Sequence, residues 1–150
     1  MTNTLRGKLA GKLAAISSLT SLFATGSIEE YIEEENGDLF AAIANLKPPR
    51  LLVYVAGIST GRQMGLFSQR LAMAIRGDVD PLAVYAAIVN EAPSGDSLAL
   101  PFQELDAHYE PMGIPELERQ FIQVGEGSSL SYWNLSVVFR SRSSDTTFVA

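Results

Sequence analysis

The chain has 150 residues, 47% of them apolar, with a net charge of −6 at neutral pH, a single histidine and no cysteine. That length gives one domain with its own core and is too short for two ordinary ones. The missing thiols exclude a disulfide framework and thiolate chemistry and, with one imidazole, speak against a zinc or transition-metal site; the acidic balance speaks against a general nucleic-acid binder, whose affinity comes from Lys and Arg on phosphates.

Charge is unevenly spread. The first 28 residues carry no acid but hold Arg6, Lys8 and Lys12, and then Glu29, Glu30, Glu33, Glu34, Glu35 and Asp38 follow closely. Two readings fit: solvated faces, or a basic and an acidic patch that join copies of the chain head to tail. The basic start before Leu13–Ala24 loosely resembles a signal peptide, but Ser17, Ser18, Thr20 and Ser21 interrupt the apolar run. Leu5, Leu9, Leu13, Ile16 and Leu19 recur at helical spacing, so an amphipathic helix over Leu5–Phe23 is the better reading. No apolar run approaches the roughly 20 residues of a membrane span, and the chain is expected to be unsecreted and soluble.

Ser27–Glu35 has no clean apolar side and reads as a short edge strand whose charges discourage stray pairing. Asn36-Gly37 signals a turn, and Asp38 caps a short helix over Leu39–Leu46 with Leu39, Phe40, Ile43 and Leu46 on its inner side. Lys47-Pro48-Pro49 ends it. Leu51–Ala56 is almost all apolar and β-prone, a central strand covered on both faces. Gly57–Gly65 reads as a loop, and Phe67–Ile75 as a half-buried strand. Asp80-Pro81 starts a helix to Asn90 with Leu82, Tyr85, Ile88 and Val89 as its apolar face.

Ala92–Ser97 is loop, Phe102–Tyr109 a candidate strand, and Pro111–Pro115 a proline-bracketed loop. Arg119–Val124 and Leu130–Arg140 read as strands joined by a turn, the latter with Trp133, Leu135, Val137 and Phe139 strictly alternating. Residues 1–4 and Ser141–Ala150 read as loose ends. The expected fold is a single α/β (α+β) domain, with a mixed or antiparallel sheet flanked by about three helices.

Few motifs carry chemistry. Gly57-Ile58-Ser59-Thr60-Gly61 matches G-x-S-x-G after a predicted strand, which makes a small serine hydrolase with Ser59 as nucleophile and His108 as base the competing reading from a different class. A nucleophile elbow needs a helix straight after the serine, whereas the next segment reads as strand. His108, between Asp106 and Glu110, reads as a partly exposed polar residue. The acidic stretch lacks the spacing of a calcium loop, and Gly57, Gly61 and Gly65 match neither a P-loop nor a dinucleotide fingerprint. No catalytic residue, metal or cofactor is assigned; a monomeric ligand-binding domain is a third reading.

The order of these elements resembles that of the tail terminator (tail completion) proteins of long-tailed bacteriophages. The resemblance rests on the N-terminal amphipathic helix, on Lys47-Pro48-Pro49-Arg50 opening the strand Leu51–Gly57, on a glycine-bearing loop and strand, on a helix starting at Pro81, on the Pro111-Met112 loop, and on the late strand Leu130-Ser131-Tyr132-Trp133-Asn134-Leu135. Family members often open the central strand with Pro-Ala, a hydrophobic residue and Val, and close on an "L-x-Y-W"-like strand; here Arg50 stands in place of the small residue.

The resemblance implies a structural virion protein and not an enzyme. It would form a hexameric ring that caps the head-proximal end of the tail tube, contacts the tube protein and, where the tail has one, the sheath protein, stops tube polymerisation and joins the tail to the neck or stopper protein. Assembly would take place in the host cytoplasm, with DNA passing through the lumen unread and no membrane involved. Another neck protein, such as a connector or stopper, or a baseplate-proximal ring is the alternative within this class. For the ring contact the candidates are Arg6, Lys8 and Lys12 against Glu29, Glu30, Glu33 and Glu34; for axial partners they are Gly57, Arg62, Met64, Met112 and Arg142.

Overall fold

Leucines four residues apart share one side of a helix, and the computed structural model buries Leu5, Leu9 and Leu13 along α1, Leu5–Ala14. It describes residues 1–23, 28–33, 37–44, 50–60, 67–76, 79–92, 100–142 and 148–150. Thr4 caps α1, its hydroxyl accepting from the Gly7 amide at 3.1 Å. The helix does not run to Phe23 as its periodicity predicts. Ile16 turns extended, at φ −81° and ψ 106°, before one further turn, α2, Ser17–Thr20. Ser and Thr side chains compete for backbone carbonyls, and here Thr20 and Ser21 donate to Ser17 O and Ser18 O. The bend keeps Ile16, Leu19 and Phe23 in the same core as Leu13.

The short edge strand is present as β1, Ile28–Glu30. Asp38 caps α3, Leu39–Ala44, accepting from the Ala41 amide at 3.0 Å, but the buried residue is Ile43, and Phe40 is 57% exposed. The helix is rotated from the expected inner face. Residues 45–49, with the Lys47-Pro48-Pro49 stop, lie outside the described residues.

The expected central strand is β2, Arg50–Thr60. Its run through Thr60 corrects the loop reading for Gly57–Thr60, the remainder of that loop lying outside the described residues: the register slips by one residue between Val55 and Gly57, after which Ile58, Ser59 and Thr60 still pair with Gln69, Ser68 and Phe67 of β3, Phe67–Arg76. An inserted residue of this kind bends a strand without ending it. α4, Pro81–Val89, starts as expected, Asp80 accepting from the Leu82 amide at 3.0 Å. Its buried residues are Val84 and Ile88, whereas Leu82 is 69% exposed. Turns replace the strand expected over Phe102–Tyr109, and Phe102 sits at φ 65°, which no strand accommodates. Only β4, Tyr109–Pro111, remains, followed by β5, Glu116–Gly125, and β6, Ser128–Ser141, joined by a tight turn at Gly127.

Among the described residues the sheet has six strands in the order β1-β2-β3-β6, with β4 and β5 both on the far edge of β6. β1 lies parallel to β2, and every other pair is antiparallel. β4 and β5 are thus one edge strand broken at Met112–Pro115, where Gly113 takes φ 85°. This mixed sheet with helices against it is the α+β domain expected from the sequence.

Period-2 alternation divides the core in two. Leu51 and Val53, Leu71, Met73 and Ile75, and Leu135, Val137 and Phe139 face α1, α2 and α4. Leu52, Tyr54, Ala72, Ala74 and Tyr132 face the other way, where α3 seats Ile43. β3 is therefore covered on both faces and not half-buried. Tyr54 donates to Asn134 Oδ1 at 2.9 Å across the second face, and burial raises its hydroxyl pKa well above the tyrosine norm.

Of the stretches read as loose ends, residues 143–147 lie outside the described residues, and the described residues at both ends are bonded to the rest of the domain. The Thr2 amide donates to Glu30 at 2.8 Å, and the Leu5 amide to Ala150 O at 3.2 Å. The buried Gln69 donates to Tyr109 Oη at 2.9 Å and to Val149 O at 3.1 Å, and Phe148 stacks edge-on against Phe67. A buried amide side chain needs partners, and the last residues supply them.

Candidate functional site

The N-terminal cations have partners inside their own chain. Arg6 Nε donates to Glu30 Oε1 at 2.8 Å, Lys8 Nζ to Asp106 Oδ2 at 2.5 Å, and Lys12 lies 4.0 Å from Glu91. Glu29 pairs with Arg50. Glu33 is exposed, and Glu34 falls outside the described residues. The Glu30 side chain is only 3% exposed; burial alone would raise its pKa, but the bonds from Thr2 and the Arg6 guanidinium outweigh this and hold it below the usual carboxylate range. Asp106 behaves alike: burial raises it, while Lys8 and the His108 amide more than compensate. Six of the residues proposed for a contact between copies therefore divide: Arg6, Lys8, Lys12, Glu29 and Glu30 tie helix, sheet and loop together within one copy, and Glu33 is free to solvent.

The axial candidates scatter. Gly57 lies within β2 with open space where a side chain would be. Met112 is exposed at the break between β4 and β5, its amide donating to Val138 O at 2.7 Å. Arg142 is exposed but engaged within its own chain, its guanidinium donating to Tyr109 O at 2.9 Å and to Gln103 O, with Glu110 at 3.6 Å. Arg62 and Met64 lie outside the described residues.

Ser59 is not on an elbow. It sits within β2 where a strand-to-helix turn would be required, and its hydroxyl shares a 2.6 Å hydrogen bond with that of Ser68. His108 accepts at its carbonyl from the Arg142 amide and donates its own amide to Asp106 Oδ1. Among the described residues no group of three or more His, Asp or Glu side chains gathers as metal ligands would.

What tertiary structure does bring together is a pair of sheet edges. β1 pairs only with Leu51–Val53, so among the described residues the outer side of β2 is unpaired from Val55 to Thr60. At the opposite side of the sheet β5 is, among the described residues, unpaired along its outer edge. Exposed apolar side chains accompany both: Ile58, 54% exposed, on the first, and Leu82, Ile114 and Phe121 beside the second. Between α4 and β5 lies an open groove of about 840 Å³, floored by Tyr85, Leu117 and Trp133 and rimmed by Asp80, Glu116 and Glu118. Arg119 lies over the Trp133 ring at 5.3 Å.

Local pattern could not have found this surface. Leu82 reads as a core residue and Ile58 as a loop residue in sequence, and only the placement of α4 and the extension of β2 put both beside open sheet edges.

Comparisons with protein-family models, with curated proteins and with solved structures find no match to this chain.

Proposed function

We propose that this chain is a structural subunit that assembles through its sheet edges into a ring, and that the ring is the terminator of a long-tailed phage tail: it caps the head-proximal end of the tube, halts its growth and receives the neck. The observation that carries the reading is the pair of unpaired edges on opposite sides of one sheet. An unpaired strand edge is a template for pairing with another chain, and soluble monomers blunt such edges; here exposed Ile58 and Phe121 stand beside them. Two different patches on opposite sides make a heterologous contact, which closes into a ring when the rotation between neighbours allows.

The resemblance in element order adds the phage context. It places the amphipathic helix before a proline-opened central strand and puts the tryptophan strand last, and the α+β domain with its mixed sheet agrees with the fold it implies. The acidic balance of the chain, −6 overall, suits a lumen through which DNA passes without sticking.

Light scattering on the eluting protein together with negative-stain imaging tests the assembly. Rings of uniform size are expected, and adding them to polymerising tube protein from the same virion should shorten the tubes. Monomers that leave tube length unchanged would overturn the reading.

A further inference from the structure

We infer that the ring contact is an edge-to-edge continuation of the sheet, in which the outer edge of β2 of one copy pairs with the outer edge of β5 of the next, Ile58 seating in the groove beside Leu82 and Arg70 meeting Glu116 and Glu118. The inference rests on the ring reading above and names the surface that would build it.

Strand directions allow the pairing. β2 is antiparallel to β3, β3 to β6 and β6 to β5, so β2 and β5 of one copy run in opposite directions. Copies set with their sheets facing the same way and slid along the strands, so that Ile58, level with Phe139, comes opposite Leu117, level with Leu135, bring Val55–Thr60 of β2 against Glu116–Arg119 of β5 as an antiparallel pair, in which backbone groups on both edges gain partners.

The two faces also match. Ile58 is paired with Gln69, and Gln69 lies on the helix-covered face with Leu71 and Met73. The groove opens on that same face, since its floor residues Leu117 and Trp133 pack against the helix-side core. Arg70 and Gly57 pair with each other and lie on the opposite face, as do Glu116 and Glu118, which pair with Ser136 and Asn134.

Charge then supplies the complement. Arg70 is exposed and, among the described residues, has no acidic partner, and Glu116 and Glu118 lie in no ion pair. Arg70 stands one strand in from the edge, and Gly57, with nothing within 4 Å of where a Cβ would be, leaves its long side chain a clear path over β2 to the neighbour. Arg119, the cation next to Glu118 in β5, is on the helix face over Trp133. Opposite charges on one face and apolar groups on the other fix both the register and the sidedness of the contact.

The chain has no cysteine, so introduced thiols report on one contact alone. Coexpressed I58C and L82C copies treated with a short bis-maleimide should give covalent dimers, and neither variant alone should. Arg70→Glu and Glu118→Arg should each weaken assembly by about tenfold, and the double variant should recover most of it. Circular dichroism of each variant separates lost assembly from lost folding, and the thiol experiment needs neither charge variant. Rings that persist in both charge variants with no cross-link in the mixture would overturn this contact while leaving the ring itself standing. A wild-type chain that stays monomeric would remove both.

Discussion

The N-terminal helix and the hairpin of β2 and β3 both carry cations, and the structure uses them in opposite ways. Along α1 every cation has an acid within the same copy: Arg6 meets Glu30, Lys8 meets Asp106 and Lys12 nears Glu91. On the hairpin Arg70 stands exposed, and across the molecule Glu116 and Glu118 have no ion pair among the described residues. Most of the clustered charges are consumed within the copy, and the scattered ones are exposed without an ion pair among the described residues. Clustering in sequence says nothing of whether a charge is already satisfied, because its partner is chosen by the fold. Lys8 finds Asp106 from 98 residues away.

The sharpest way to break the α1 side of this contrast is at Glu30. Glu30→Ala removes the acceptor of the Thr2 amide and hydroxyl and of Arg6, and should lower unfolding stability by about 3 kcal/mol in urea titration. Acid should do the same gradually. Glu30 and Asp106 have folded pKa values below their ordinary 4.5 and 3.8, so near those values the unfolded chain binds more protons than the folded one. Their contribution is fully present above the unfolded values and is lost as pH falls through the folded ones. Thermal midpoints should therefore fall as pH is lowered from 6 through the carboxylate range, with Glu30→Gln showing a shallower slope.

Two glycines of α1 sharpen the point by about a further step each. A Cβ at Gly7 would lie 2.1 Å from Thr2 O, so Gly7→Ala must push away the N-terminal residues that hold Glu30. A loss of about 2 kcal/mol is expected despite the better helix propensity of alanine. Gly11 meets only the Met1 sulfur, at 3.7 Å, and Gly11→Ala should stabilise by about 0.5–1 kcal/mol. Thermal denaturation of the pair separates the two signs. The smallest effect on folding belongs to Arg70→Glu, within about 0.5 kcal/mol of the parent by the same measurement. A large loss there would mean that Arg70 is structural after all.

Much of the fold was legible because local rules decided it. Asp38 and Asp80 capped helices where they stood, Asp80-Pro81 marked a start, and the alternation from Trp133 to Phe139 announced the long strand. Helix faces were less legible. On α3 and α4 the apolar residues outnumber one buried stripe, so pattern alone could not choose Ile43 over Phe40, or Val84 over Leu82. The G-x-S-x-G match failed for a similar reason, since glycine and serine fit a turn or a bulged strand alike, and pairing with β3 decided for the strand.

The sequence by itself determined a single acidic α+β chain with capped helices, a covered central strand and no thiol chemistry. Composition, capping and two-residue alternation act over a few residues and need no distant partner. The tertiary contacts alone settled which charges are consumed within the chain, that described residues at both ends are bonded to the body of the domain, and that among the described residues β1 covers only part of β2 while β5 lies at an edge of the sheet. Those outcomes depend on contacts between segments far apart in the chain, where packing and strand order, not neighbouring residues, set what is covered and what is left open.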